Sequence, residues 1–135
     1  MLEEECSSFR VMLVEDDDGF RGSLAGLLKS KFPLIAIEEA KDGAEAMGKL
    51  EGFLPHLIFM DVKLPGQNGL ETTRRIKSLH PEIEVTILTN YDFPEYRDAA
   101  RASGAYSFLS KGSASAEEIY GLVDGLCARQ VLPII

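Results

Sequence analysis

Tryptophan is missing from this 135-residue chain, and cysteine and histidine occur only twice each. Cys6 and Cys127 stand near opposite ends in no metal-ligand spacing, so they read as two free thiols. His56 and His80 have no matched partners in the sequence and read as a strand-entry and a helix-end residue. No apolar run approaches the length that crosses a bilayer, which excludes a membrane-spanning helix. The first residues, Met1-Leu2-Glu3-Glu4-Glu5-Cys6, are acidic where a secretory signal would be basic and then apolar, which points to the cytoplasm. Positive charge is the other shortage: 14 Lys and Arg against 22 Asp and Glu leave a net charge of −8. DNA affinity rests largely on neutralising phosphates with Lys and Arg, and no basic cluster breaks the acidic trend. Direct nucleic-acid binding by these residues is therefore not expected. Internal repeats and low-complexity tracts are lacking as well.

What is present suits one domain with a core of its own, since 45% hydrophobic and 27% charged residues are ordinary globular values. Residues 1–8 read as a flexible leader, 9–129 as the domain, and 130–135 as a C-terminal tail or the start of a linker. Within the domain, short apolar runs alternate with stretches of helical spacing. Arg10 to Val14 predicts a first strand. Phe20, Leu24, Leu27 and Leu28 mark a helix after it, capped by Asp17 or Asp18 and stopped by Pro33. Leu34 to Ile37 predicts a second strand, with Ala40 to Gly43 as a turn and a helix from Ala44 to about Gly52. His56 to Met60 is a run apolar enough for a strand buried on both faces. A helix from Leu70 to Leu79, a strand from Glu84 to Thr89 and a helix from Phe93 to Ser103 follow. Tyr106 to Ser110 and Ser115 to Ala128 complete the pattern as strand and helix, with Tyr106 read as packing. Five strand-then-helix units argue for an α/β fold, a three-layer α/β/α sandwich around a parallel sheet. Right-handed crossovers bring the carboxyl ends of all five strands to one edge.

That edge gathers chemistry. Glu15 and Asp16 follow the first strand, Asp61 the third, Thr89 the fourth and Lys111 the fifth. Three carboxylates brought together repel one another unless a hard cation neutralises them, and Mg²⁺ takes oxygen ligands of this kind. A carboxylate can act as nucleophile in phosphoryl transfer, with a hydroxyl and an ammonium receiving the tetrahedral anion. Each signal has a bland reading of its own: a solvated helix start for Glu15 to Asp18, a surface lysine for Lys111, an ordinary strand residue for Thr89. Their joint placement on one edge favours the site reading, while Asp17 and Asp18 are better read as the helix start.

In this order the acidic pair Glu15-Asp16, the segment Asp61-x-x-x-Pro65-x-x-x-Gly69, Thr89, and Lys111 after Gly104-Ala105 resemble the receiver domain of two-component response regulators. The resemblance implies a flavodoxin-like (CheY-like) fold of strand order 2-1-3-4-5. It implies that Asp61 is a phosphoacceptor, served by a sensor histidine kinase or a histidine phosphotransfer protein, and that the chain is a signalling domain rather than a turnover enzyme. Asp16, Asp61 and the backbone carbonyl of Lys63 would be Mg²⁺ ligands, with Glu15 reaching the ion through water. Thr89 and Lys111 would hold the phosphoryl group, and Thr89 with Phe108 would form a switch. Output would pass through the surface of the fourth helix, fifth strand and fifth helix, about 93–128, with homodimerisation through that surface allowed. Phe108 also has an ordinary core reading.

Departures from the family pattern are informative. Glu15 replaces the commoner Asp, and Gly112 follows Lys111 where many members have proline. With Thr89-Asn90 and Pro65-Gly66, these features resemble the NarL/LuxR-type subfamily, whose receivers precede a DNA-binding domain controlling transcription. Lys63 adds a cation beside the pocket with Tyr91 at the opposite rim, an arrangement expected to tune the lifetime of the phosphate. Two other readings of the chain remain. A pseudo-receiver would act as a constitutive interaction module but normally lacks a site residue. An aspartyl-phosphate phosphatase would carry a second Asp where this chain has Lys63.

Overall fold

In the computed structural model, Cys6 and residues 8–131 are described. Five strands and five helices alternate: β1 (Arg10–Val14), α1 (Asp18–Lys31), β2 (Ala36–Ala40), α2 (Gly43–Phe53), β3 (Leu57–Met60), α3 (Gly69–Leu79), β4 (Glu84–Thr89), α4 (Pro94–Ala102), β5 (Ser107–Ser110) and α5 (Ala116–Val131). All strand pairs are parallel, in the order β2-β1-β3-β4-β5 that the resemblance implies. Two cores follow, one on each face of the sheet. Val11, Leu13, Leu57 and Phe59 pack with Leu24 and Leu28 of α1 and with Val123 and Leu126 of α5. Met12, Val14, Ile58, Met60, Val85 and Ile87 pack on the other face with α2, α3 and α4. Alternate side chains of one strand thus feed opposite cores, which is why β1 and β3 read as unbroken apolar runs. No helix among the described residues is long and apolar enough to cross a membrane.

Side-chain caps fix where the helices leave the sheet edge. Asp17 Oδ1 accepts from the Phe20 amide at 3.0 Å and starts α1. Asn68 Oδ1 accepts from Leu70 and Glu71 and starts α3. At α5, Ser115 Oγ accepts from the Glu118 amide while Glu118 Oε1 accepts from the Ser115 amide, a reciprocal capping box. Between β3 and α3 the chain turns through Gly66, whose φ of +82° is one that only glycine adopts freely.

Several sequence expectations are corrected. The second strand runs Ala36–Ala40 rather than 34–37. Glu38 and Glu39 lie on this edge strand, where half-exposure lets charged residues stand in a strand that a search for apolar runs passes over. Cys6 and Cys127 are not free thiols. Their Cα atoms lie 5.4 Å apart and the two form a disulfide. A turn in which the Phe9 amide bonds the Cys6 carbonyl folds the leader back beside α5, a proximity that the long sequence separation conceals. At Cys6 the leader is buried and tethered; residues 1–5 and 7 of it, and 132–135 of the tail, lie outside the described residues. Both histidines stand where the sequence put them, His56 at the entry to β3 and His80 at the end of α3, but each has partners. His56 Nδ1 accepts from the Arg10 amide with its ring stacked on Phe9, and His80 faces Glu51 and Glu82. Tyr106 is exposed rather than packed.

Candidate functional site

Strand alternation sends the chain out of the sheet at Glu15, Asp61, Thr89 and Lys111 together. The Glu15 amide bonds Ala40 across to β2, the Asp61 amide bonds Val14 of β1, and the Lys111 amide bonds Thr89 of β4. These backbone links continue each ladder one residue beyond the strand and hold the side chains at a common level. Carboxylate oxygens of Glu15, Asp16 and Asp61 all lie within 4.8 Å of one another. Glu15 and Asp61 are buried, while Asp16 is exposed. The sequence-predicted carboxylates thus converge.

Lys111 joins them. Its Nζ lies 2.5 Å from Glu15 Oε1 and 3.1 Å from Asp61 Oδ2. The other Asp61 oxygen, Oδ1, accepts from the Val62 amide at 2.7 Å, and Glu15 Oε2 accepts from the Asp17 amide at 3.0 Å. Burial pushes the Glu15 carboxyl up, and the Asp61 charge adds to this against the hydrogen bonds from Lys111 and Asp17. Burial alone would depress the Lys111 ammonium, yet the Glu15 bond and the Asp61 charge hold it above the usual lysine value. One cation against three carboxylates leaves the cluster short of positive charge, and hard oxygen donors so placed fit a divalent cation.

Thr89 is fully buried at the end of β4, and its hydroxyl accepts from the Tyr91 amide at 3.3 Å. Lys63 extends its ammonium over the Tyr91 and Tyr96 rings, 5.3 and 5.9 Å from their centroids. Its cation therefore bridges the loops after β3 and β4, so that Lys63 and Tyr91 meet rather than face each other from opposite rims. Phe108 lies apart from the carboxylates. Half-buried on β5, it packs at the margin of the second core, with the Arg97 guanidinium 4.6 Å from its ring centroid. Arg97 is itself held by Asp92 at 2.6 Å.

Two residues that bear on the site escaped the sequence reading. Arg21 donates from Nη1 to the Glu15 carbonyl at 2.6 Å, from Nε to Glu39 at 2.9 Å and from Nη2 to Asp18 at 2.7 Å. One guanidinium thereby ties α1 and β2 to the backbone between the acidic pair. An arginine within the first turns of a helix that follows an acidic run was the available signal. Phe20, read only as a core residue of the first helix, stands 4.4 Å from the Lys111 ammonium.

Residues 11–123 match the family model described as the response regulator receiver domain. The response regulator GacA of Pseudomonas viridiflava is 31% identical over 84% of this chain and 53% of its own length. The transcriptional activator protein ExaE of Pseudomonas putida is 36% identical over 78% of this chain and 50% of its own. The chain thus spans about half the length of these curated relatives. Among solved structures, a two-component response regulator of the LuxR family from Aurantimonas sp. SI85-9A1 superimposes with a TM-score of 0.81. It is 28% identical and aligns over 90% of this chain and 86% of that one.

Proposed function

The chain belongs to the response regulator receiver domain family, and on that premise we propose that Asp61 accepts a phosphoryl group from the phosphohistidine of a sensor kinase or phosphotransfer protein. The observation that carries this reading is the meeting of Asp61 with Glu15, Asp16 and Lys111 at one sheet edge. A carboxylate oxygen of Asp61 attacks phosphorus, the P–N bond breaks, and the imidazole departs with its electron pair. The Lys111 ammonium, already 3.1 Å from Asp61, then pairs with the phosphoryl oxygens. Thr89 would turn its hydroxyl from the Tyr91 amide toward the same group.

Glu15, Asp16, Asp61 and the Lys63 carbonyl are the residues that would hold Mg²⁺, which when bound supplies charge neutralisation to the phosphoryl oxygens. Glu15 fits this role because a second cation would favour the charged form of its carboxyl, which burial pushes up beside Asp61. Receipt of the phosphate would be coupled through Thr89 to Phe108, and so to the α4-β5-α5 surface. The Arg97 contact makes Phe108 the part of that surface already bound to α4. The likeness to LuxR-family and transcriptional relatives supports a role in transcription control through a further domain, with homodimerisation at α4-β5-α5 as the means of output. The acidic surface supports protein partners rather than nucleic acid for these residues, and a cytoplasmic setting accords with a kinase partner.

Exposure to a small phosphodonor with Mg²⁺, followed by intact-mass measurement, is expected to add one phosphoryl group, absent in Asp61→Asn. Absence of uptake by the unaltered chain would point instead to a constitutive interaction module, and rapid catalytic consumption of donor to a phosphatase.

A further inference from the structure

We propose that Phe20 is a positioning residue for the Lys111 ammonium, an inference that rests on the phosphoacceptor reading of Asp61. Lys111 follows the edge strand β5 and reaches Asp61 only by extending a flexible four-carbon stem past the end of β4. Two carboxylates compete for its head, and the shorter contact is with Glu15, not Asp61. Neither hydrogen bond survives intact when a phosphoryl group arrives, because the ammonium must exchange carboxylate partners for phosphoryl oxygens.

The Phe20 ring is a partner that need not change. Its centroid lies 4.4 Å from Nζ, well within cation–π range. A ring face attracts the charge and leaves other N–H groups of the ammonium for oxygen partners, so the contact holds whichever anion those groups face. The ring is itself fixed. Its amide is bonded by the Asp17 cap, and its side chain packs against the core shared by α1 and α5. Phe20 also acts as a partition. On one side, with Leu24 and Leu88, it borders a void of about 10 Å³ against Glu15 and Asp61, no more room than a single water needs. On the other it lines a groove of about 210 Å³ with Leu27, Ala114 and Ile119, where Lys111 also surfaces. The ammonium is thus steered to the carboxylates and kept from relaxing into that groove.

The test compares Phe20→Leu, which keeps apolar bulk and removes the ring, with Phe20→Tyr, which keeps the ring. Uptake from a small phosphodonor is expected to slow about three- to tenfold in Phe20→Leu and to match the unaltered chain in Phe20→Tyr. In a Lys111→Ala background the Phe20→Leu change should alter the rate by less than about twofold. An upfield ring-current shift on the Lys111 side-chain protons should be seen in the unaltered chain and lost in Phe20→Leu. An unchanged rate in Phe20→Leu, or equal slowing with and without Lys111, would overturn the proposal. If the unaltered chain takes up no phosphoryl group, the reading of Asp61 falls instead. The ring-current shift then decides the Phe20 contact by itself: its absence overturns the contact and its presence supports it.

Discussion

A methyl group placed on Gly69 would lie 1.8 Å from the carbonyl oxygen of Asp61 and 3.0 Å from Met60 Cγ. The glycine is needed because α3 begins against the backbone of Asp61 itself, where the Gly69 amide bonds the Val62 carbonyl. Gly69→Ala must therefore push the β3–α3 loop away from the sheet, and urea unfolding should show a loss of about 2–4 kcal/mol. Loss of Asp61 reactivity should accompany it, whereas an alanine at solvent-facing Gly48, where nothing lies within 4 Å, should be neutral or stabilising. Lys63 poses a question of lifetime rather than folding. Its ammonium, held over Tyr91 and Tyr96, spans a rim formed by the loops after β3 and β4. Lys63→Ala and Tyr91→Ala should each open that rim to water and shorten the phosphate lifetime about two- to fivefold, read from decay of the phosphorylated mass after donor removal. Unchanged decay in both would show that the rim does not gate water. The residues that converge at the candidate site were legible in the sequence because strand ends are legible. Phe20 was not, because a phenylalanine at core spacing looks the same whether or not an ammonium sits on its face.

Among the elements, α2 and α3 are joined through His80. This residue ends α3 with its amide bonded to Ile76, while its ring lies 2.7 Å from Glu51 of α2 and 3.3 Å from Glu82. The Glu51 hydrogen bond, with Glu82 adding to it, raises the imidazole above its ordinary value of 6.5. Folding therefore favours the protonated ring. The resulting stability is fully present below the unfolded pKa and is lost as pH rises through the higher folded one. The melting temperature of the unaltered chain should exceed that of His80→Gln most at about pH 6 and converge with it by about pH 9. A difference that stays flat across that range would show that the pair carries no proton linkage. His56 pulls the other way, because burial and Arg10 lower its pKa and penalise the fold once acid protonates it. Element order and type followed from the sequence, since an apolar run such as Leu57 to Met60 and the spacing of Phe20, Leu24, Leu27 and Leu28 answer to different periods. What failed was the edge. Strand β2 owes its position to pairing with β1, and Glu38 and Glu39 carry no apolar signal that would disclose it.

On the scale of the whole molecule, the Cys6–Cys127 disulfide closes almost the entire domain into one covalent loop, its ends 121 residues apart in sequence. Both cysteines are buried in the core shared by α1 and α5. Chain-entropy arguments assign a closure of this length about 5 kcal/mol, an upper figure because unfolded chains retain structure. The disulfide also bears on where the chain works, since a reducing cytosol opposes disulfides while a bond at 0–1% exposure is shielded from thiols until the chain opens. Purified chain should therefore yield no reactive thiol in native buffer and none in denaturant. After unfolding in reductant and refolding without oxidant, it should yield two in denaturant and lose up to about 5 kcal/mol against urea. The double variant Cys6→Ser, Cys127→Ser should lose stability to a similar degree while retaining the Asp61, Glu15 and Lys111 cluster, which lies at the opposite ends of the strands. Two thiols titrating in denatured chain that never met reductant would show the pair to be unlinked, and equal urea midpoints for the oxidised and reduced forms would show that the bond adds nothing to the fold.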